Sequence, residues 1–386
     1  MKKLLTLAFL CVNIWLAGCK VDPPIEPPVP EPGINYEFYM DDLIKGKMAS
    51  DQIPGLSVAV VRNGEIDWEK AYGKANIAAN IAVDNNTRFI VNQAADGIVA
   101  AALQQAEQLG ILDLDENINK YLGWDFIHPT FSQAVITPRM LLSHTAGIKD
   151  NAILIQSTYG PGDSEVGLGK YLEDYLSTSG VYYSPTNFTN QRPGKTYTYS
   201  RTGIALAAHL VEIVSEIDFD IFCKTHLFAQ LGLQNASWFL RDIPADKVAI
   251  PYTQSPNGLQ PLANYGYAIY PSGQLRISAS HLCRFLLALV QNGAYGSQDI
   301  LPSESVAEIK QVQYPIADPA QALGWRYDTI LGEVLLGKSG LDAGSSSRVY
   351  IDPSRGIGVV LLSNGAGYDA ALDEILVKAY QTARDN

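Results

Sequence analysis

Cysteine is scarce in this chain: Cys11, Cys19, Cys223 and Cys283 are the four in 386 residues, and no two form a Cys-x-x-Cys. A small fold stapled by disulfides and a thiolate metal centre therefore have no support. Histidine is nearly as rare. His128, His144, His209, His226 and His281 include no His-x-x-x-His pair with a neighbouring Glu, so no metal site and no cofactor are expected. Positive charge is also short: 28 Lys and Arg face 40 Asp and Glu, a net charge of -12, which makes nucleic acid a poor partner. The chain has no Gly-x-Ser-x-Gly, so the nucleophile elbow of doubly wound hydrolases is missing. Apolar residues, by contrast, make up 47% of the sequence, inside the ~45–50% range of folded proteins. The length holds roughly two to three domains of ~150 residues.

One pattern has to be set aside. Gly332 to Ser339 reads Gly-Glu-Val-Leu-Leu-Gly-Lys-Ser and fits the phosphate-loop spacing letter for letter. That motif needs a wrapping loop and a helix that begins at the Lys. Here a strand-like Glu-Val-Leu-Leu fills the loop, and Gly340-Leu341-Asp342-Ala343-Gly344 follows, which starts no helix. No nucleotide is expected.

The N-terminus carries Lys2 and Lys3, an apolar stretch from Leu4 to Ala17, and then Gly18 and Cys19. The stretch is too short to span a bilayer and reads as a signal peptide over residues 1–18. Leu16-Ala17-Gly18-Cys19 resembles the lipobox of bacterial lipoproteins, which implies lipid on Cys19. Residues 19–33 then form a proline-rich spacer, Pro-Pro-Ile-Glu-Pro-Pro-Val-Pro-Glu-Pro at its centre, extended and unable to build a core. The expected location is the envelope of a bacterium, exported and held to a membrane through the lipid. Cys223 and Cys283 lie in helix-like apolar runs; an exported protein could pair them, but core positions of this kind read as two buried free thiols.

Within the folded part, Leu56 to Val61 and Ile66 to Ala71 are apolar runs joined by Asn63-Gly64, a strong hairpin signal. A helix from about Asn35 to Ala49 precedes them. Arg348 to Ile351 and Gly358 to Ser363 read as strands, and Ala370 to Arg384 as a closing helix. Helical spacing governs the middle: Ile98 to Leu109, Pro138 to Ser143, Leu168 to Leu176, Thr202 to Val214 and Ala279 to Gln291. The fold class is α/β: an antiparallel sheet flanked by N- and C-terminal helices, from residues 34–86 and 270–386, with an all-helical inserted domain over 87–269.

The order of short motifs now becomes informative. Ile53-Pro54-Gly55-Leu56-Ser57-Val58-Ala59-Val60, Asp113-Leu114-Asp115 with Tyr121-Leu122, Leu141-Leu142-Ser143-His144-Thr145-Ala146-Gly147, Pro193-Gly194 with Tyr199-Ser200, and Lys338-Ser339-Gly340 follow one another. Together they closely resemble the serine beta-lactamase and penicillin-binding protein family, in its class C, D-Ala-D-Ala peptidase and esterase branch. The resemblance runs from about residue 52 to 380 and implies a beta-lactamase/transpeptidase-like fold. It also implies three motifs meeting in one cleft: Ser-x-x-Lys at a helix start, Tyr-x-Asn in a loop, and Lys-Thr/Ser-Gly on a sheet strand.

The chemistry the resemblance implies is interrupted. Aligned on Thr87-Arg88-Phe89, the Ser-x-x-Lys position reads Gln93-Ala94-Ala95-Asp96, and no Lys in the chain has a Ser three residues before it. A carboxamide forms no acyl-enzyme, and Asp96 puts an anion where a cation is needed. The second motif reads Tyr199-Ser200-Arg201, with Arg in place of Asn. The paired exchanges predict an ion pair between Asp96 and Arg201. A plainer role for Asp96 is an acid in the first turn of a helix capped by Asn92. His144 reads as a helix-end histidine with a backbone partner. No catalytic residue is intact, and the family positions are Gln93, Asp96, Tyr199 and Arg201. A ligand site is expected from Tyr199, Arg201, Lys338, Ser339, Gly340 and Leu341. The expected ligand is a carboxylate-bearing small molecule such as a peptidoglycan stem peptide. The expected function is that of a lipid-anchored, non-catalytic binding or regulatory member of the family. The alternative is a weak beta-lactamase, carboxypeptidase or esterase using Tyr199, Ser200 or a serine among Ser345, Ser346 and Ser347.

Overall fold

The computed structural model describes residues 36–385, with side chains from Tyr39 onward. The expected signal peptide, Cys19 and the proline spacer lie outside the described residues. The main sheet has seven strands: β1 (Gly55–Arg62), β2 (Glu65–Asn76), β3 (Ile81–Ala82), β4 (Arg326–Ile330), β5 (Glu333–Asp342), β6 (Ser345–Asp352) and β7 (Ile357–Ser363). They lie in the order β4-β5-β6-β7-β1-β2-β3, every neighbouring pair antiparallel. The first and last parts of the chain thus share one sheet. Asn63 and Gly64 take φ of 53° and 82°, the left-handed pair that closes a two-residue hairpin in the sense of the sheet's twist.

Alternation along the central strands divides the core. Leu56, Val58 and Val60 of β1 and Val359 and Leu361 of β7 face α1 (Tyr36–Asp51) and the closing helix Asp369–Asp385. Ala59 and Val61 of β1 and Val360 and Leu362 of β7 point to the opposite face. There Phe285 and Leu286 of helix Ala279–Val290 pack on them. That helix therefore belongs with the sheet. Cys223 and Cys283 are both buried and free.

The inserted part is mostly helical, with α2 (Ala95–Gln108) and α3 (Arg201–Ser215) packed together at its centre. It is not all helical as expected. Gly160–Pro161 pairs with Tyr265–Gly266, and Tyr252–Ser255 with Gly258–Pro261, short ladders in loops whose Gly and Pro disfavour helix and whose Tyr suits a strand. Asn92 does not cap α2. It sits at φ 53° in a 3₁₀ turn, Asn92–Ala94, and its Oδ1 accepts a bond from Ser345 Oγ at 3.1 Å, so α2 begins at Ala95 with Ala94 at its N-cap and no side-chain cap. Gly332 to Ser339 runs through the β4–β5 turn into β5, and no helix starts at Lys338. Among the described residues no helix is long and apolar enough to cross a membrane.

Gly97, one residue after Asp96, lets Trp325 lie directly on α2: a Cβ there would stand 2.2 Å from the indole. Gly46 in α1 has open space around it, with nothing within 4 Å. Gly97→Ala is expected to destabilise the protein by about 1–3 kcal/mol and Gly46→Ala to stabilise it by about 0.5–1 kcal/mol, read by denaturant unfolding. Equal effects from the two substitutions contradict this packing.

Candidate active-site cleft

The 3₁₀ turn at Asn92–Ala94 packs on β5 and β6 and feeds α2, so Gln93 and Asp96, one helical turn apart, share a face. Their surroundings differ. Gln93 reaches the edge of β5, where its Oε1 accepts from the Leu341 amide at 2.8 Å and its Nε2 donates to the Leu341 carbonyl at 3.4 Å. Asp96 is wholly buried. Its Oδ2 accepts from the Tyr199 hydroxyl at 3.1 Å and lies 3.7 Å from both Lys338 Nζ and His144 Nε2. Its Oδ1 has no hydrogen-bond partner among the described residues.

Burial dominates the electrostatics. It raises the Asp96 carboxyl to about 7, against the opposing pull of Lys338, the Tyr199 hydroxyl and, at longer range, Arg201. Burial lowers the Lys338 ammonium, with Asp96 acting against it. His144 is pushed well below an ordinary imidazole by burial and then by Lys338. Its Nδ1 accepts from the Ser200 amide at 3.4 Å, which leaves the ring proton on Nε2, the nitrogen facing Asp96.

The expected ion pair between Asp96 and Arg201 is not formed. Arg201 opens α3, where Asp150 accepts from the amides of Arg201 and Thr202 at 2.7 and 3.1 Å and Ser200 Oγ caps Gly203. That cap turns Tyr199 inward and Arg201 along the wall. The guanidinium donates to Tyr159 Oη at 3.0 Å, lies 3.5 Å from Asp342 Oδ2, and sits 4.7 Å above the Tyr267 ring. A π face and a carboxylate are within its reach there, while Lys338 occupies the approach to Asp96.

The cleft, of about 370 Å³, is lined by Gln93 and by five of the six expected ligand positions, Tyr199, Lys338, Ser339, Gly340 and Leu341. Arg201 instead lines a neighbouring cavity of about 240 Å³ with Asp150, Tyr159 and Asp342. Each cation of the larger cleft faces carboxylates of the chain: Lys338 faces Asp96, Arg326 faces Asp318 and Asp328, and Arg348 faces Asp369 and Asp373. Sequence reasoning missed His144, Tyr159, Tyr267, Arg326 and Asp342 as members of this region. His144 lay inside a motif already quoted, and Asp342 follows Lys338-Ser339-Gly340 by two positions. The tyrosines gave no signal in a chain with 21 of them.

The proposed substitute serines are tied down. Ser200 Oγ donates to Asp150 at 2.8 Å, Ser345 Oγ to Asn92 at 3.1 Å, Ser347 Oγ to the Val91 carbonyl at 2.7 Å and Ser346 Oγ to the Gly365 carbonyl, and all four are buried. Ser339 is exposed in the cleft, but its hydroxyl bonds to Tyr350 Oη at 2.9 Å, and Tyr350 donates its own proton to Asp328 at 2.9 Å. A neutral phenol whose acidity burial has weakened is no base for a serine.

Comparison with known proteins gives the family and the fold. The family model described as Beta-lactamase matches residues 40–382. Protein flp of Staphylococcus aureus is 21% identical over 332 residues, covering 84% of this chain and 62% of its own length. Penicillin-binding protein 4 of Amycolatopsis lactamdurans is 24% identical over 324 residues, covering 81% of each chain. A class C beta-lactamase superposes with a TM-score of 0.72 at 18% identity, over 90% of this chain and 96% of its own. The chain spans 56% of a Bacillus subtilis relative and 62% of the Staphylococcus protein, about three-fifths of each.

A raised carboxyl has a definite effect on stability. Between about pH 4 and 7 the folded state holds a proton on Asp96 that the unfolded chain, with an ordinary value near 4, has released. The stabilisation from this group is complete below about pH 4 and is lost as pH rises through about 7. Relative to Asp96→Asn, which does not titrate, the wild type is expected to lose on the order of 2–4 kcal/mol across that window. Denaturant unfolding of both proteins at several pH values measures it, and a difference independent of pH contradicts the assignment.

Proposed function

The chain belongs to the beta-lactamase family, and from that premise we propose that it is a non-catalytic member that binds rather than acylates. One observation carries the reading: the atoms that would attack and activate are replaced by Gln93, bonded to Leu341, and by Asp96, buried against Tyr199 and Lys338. A carboxamide has no nucleophilic oxygen to donate into an acyl bond, so Asp96 has no hydroxyl at position 93 to deprotonate. In a well-characterised serine hydrolase, loss of the nucleophile costs about 10⁶-fold in turnover. The weak-hydrolase alternative needs another hydroxyl, Tyr199 or one of the serines named above, and each of these is bonded to a fixed acceptor, Tyr199 to Asp96.

What the cleft retains favours a ligand. Tyr199, Lys338 and Ser339 still line it, the Lys338 side chain being 6% exposed. A carboxylate-bearing peptide, such as a fragment of peptidoglycan stem, is the ligand class that the family resemblance suggests, and its amides suit the open edge of β5. We also propose that lipid on Cys19 anchors the protein in the cell envelope and that the proline spacer holds the folded part away from the membrane.

Intact-protein mass spectrometry after incubation with a fluorescent penicillin, and separately with a fluorophosphonate, tests the reading. No mass increase is expected from either probe. A covalent adduct mapped to a serine or tyrosine overturns it and identifies the working nucleophile.

A further inference from the structure

Strand β4 ends its pairing at Arg326 opposite Gly337, so β5 from Lys338 to Asp342 has β6 on one side and no main-sheet strand on the other. Leu341 turns both its N–H and its C=O to that open side. Alternation along β5 turns those of Ser339 the same way. An unpaired edge of this kind is a template for an extended chain. In this molecule the Leu341 pair is already engaged. The Gln93 carboxamide offers an acceptor and a donor side by side, and both go to Leu341, at 2.8 and 3.4 Å.

We propose that Gln93 is a tethered occupant of the cleft, holding the Leu341 edge where an extended amide ligand would pair and yielding it when that ligand binds. The inference rests on the binding reading above and narrows its ligand. A group that displaces Gln93 has to offer Leu341 both a donor and an acceptor. The residue opposite Leu341 in an added antiparallel strand does this with its own N–H and C=O. A lone carboxylate presents no donor to the Leu341 carbonyl and leaves Gln93 in place. Displacement is inexpensive, because Gln93 is only half-buried and its carboxamide has no other hydrogen-bond partner among the described residues.

The test compares the wild-type chain with Gln93→Ala and with Gln93→Asn, which keeps the amide but is one methylene too short to span to Leu341. The probe is an N-acetylated tripeptide ending in D-Ala-D-Ala, with affinity measured by calorimetry and Leu341 amide exchange by NMR. Both variants are expected to bind about tenfold more tightly than wild type, the loss of one to two competing hydrogen bonds. Leu341 exchange is expected to speed up in both free variants and to slow again on addition of the peptide. Equal or weaker binding by the variants overturns the tether and leaves the binding reading standing. Absence of binding by all three proteins overturns both. Unfolding temperatures close to that of wild type show that the variants are folded.

Discussion

Asp96 sits out of reach of water between a tyrosine hydroxyl, an ammonium and an imidazole, and the groups around the cleft take their places with respect to it. An unpaired carboxylate at full burial is strongly unfavourable, so Lys338 is drawn to it and is no longer an uncompensated charge facing the cleft. Tyr199 donates its hydroxyl to the same oxygen, and burial together with that carboxylate holds the phenol protonated, so no phenolate is at hand to act as a base in the cleft. His144 completes the ring around the carboxylate, with its own affinity for protons suppressed. The result is a centre whose charges are satisfied internally.

The sheet supplies the second constraint. Because β4 stops short of Lys338, β5 presents a bare edge beside the start of α2, and the 3₁₀ turn holds Gln93 against it. Close packing makes that juxtaposition rigid: a Cβ on Gly340 would meet Ser347 Oγ at 2.4 Å and Asn92 Cβ at 2.7 Å. Strand and turn are thus locked together, and position 93 is always within reach of Leu341. A serine there would aim a hydroxyl into the cleft, whereas a glutamine spans to the strand and bonds to it. One residue's length decides between attack and closure.

Much of the frame was legible in the sequence. Asn63-Gly64 gave the first hairpin, and the apolar runs of β1, β6 and β7 gave the strands, because local turn chemistry and alternation specify such elements directly. Helix Leu168–Leu176 falls where its spacing placed it. Positions 93 and 96 were singled out by motif spacing, and the structure puts Gln93 in the cleft wall and Asp96 buried one helical turn on. The partner of Asp96 was not legible. Arg201 was matched to it because both occupy exchanged motif positions, yet the choice between Asp96 and the Tyr159, Tyr267 and Asp342 wall is made by chain segments far apart in sequence. Asn92 likewise looked like a cap, and only the distant Ser345 shows why its carboxamide is spent elsewhere.

The central claim is that two side chains, Gln93 and Asp96, keep this cleft from acyl transfer, with Arg201 the remaining departure from the family's motifs. Restoring both, as Gln93→Ser with Asp96→Lys, and exposing the protein to a fluorescent penicillin is the most direct measurement of it. The account predicts covalent labelling at position 93 in the double variant and none in either single variant, since the serine needs its base and the base needs a serine. A folded double variant that stays unlabelled contradicts it and places the block in Arg201 or elsewhere in the cleft.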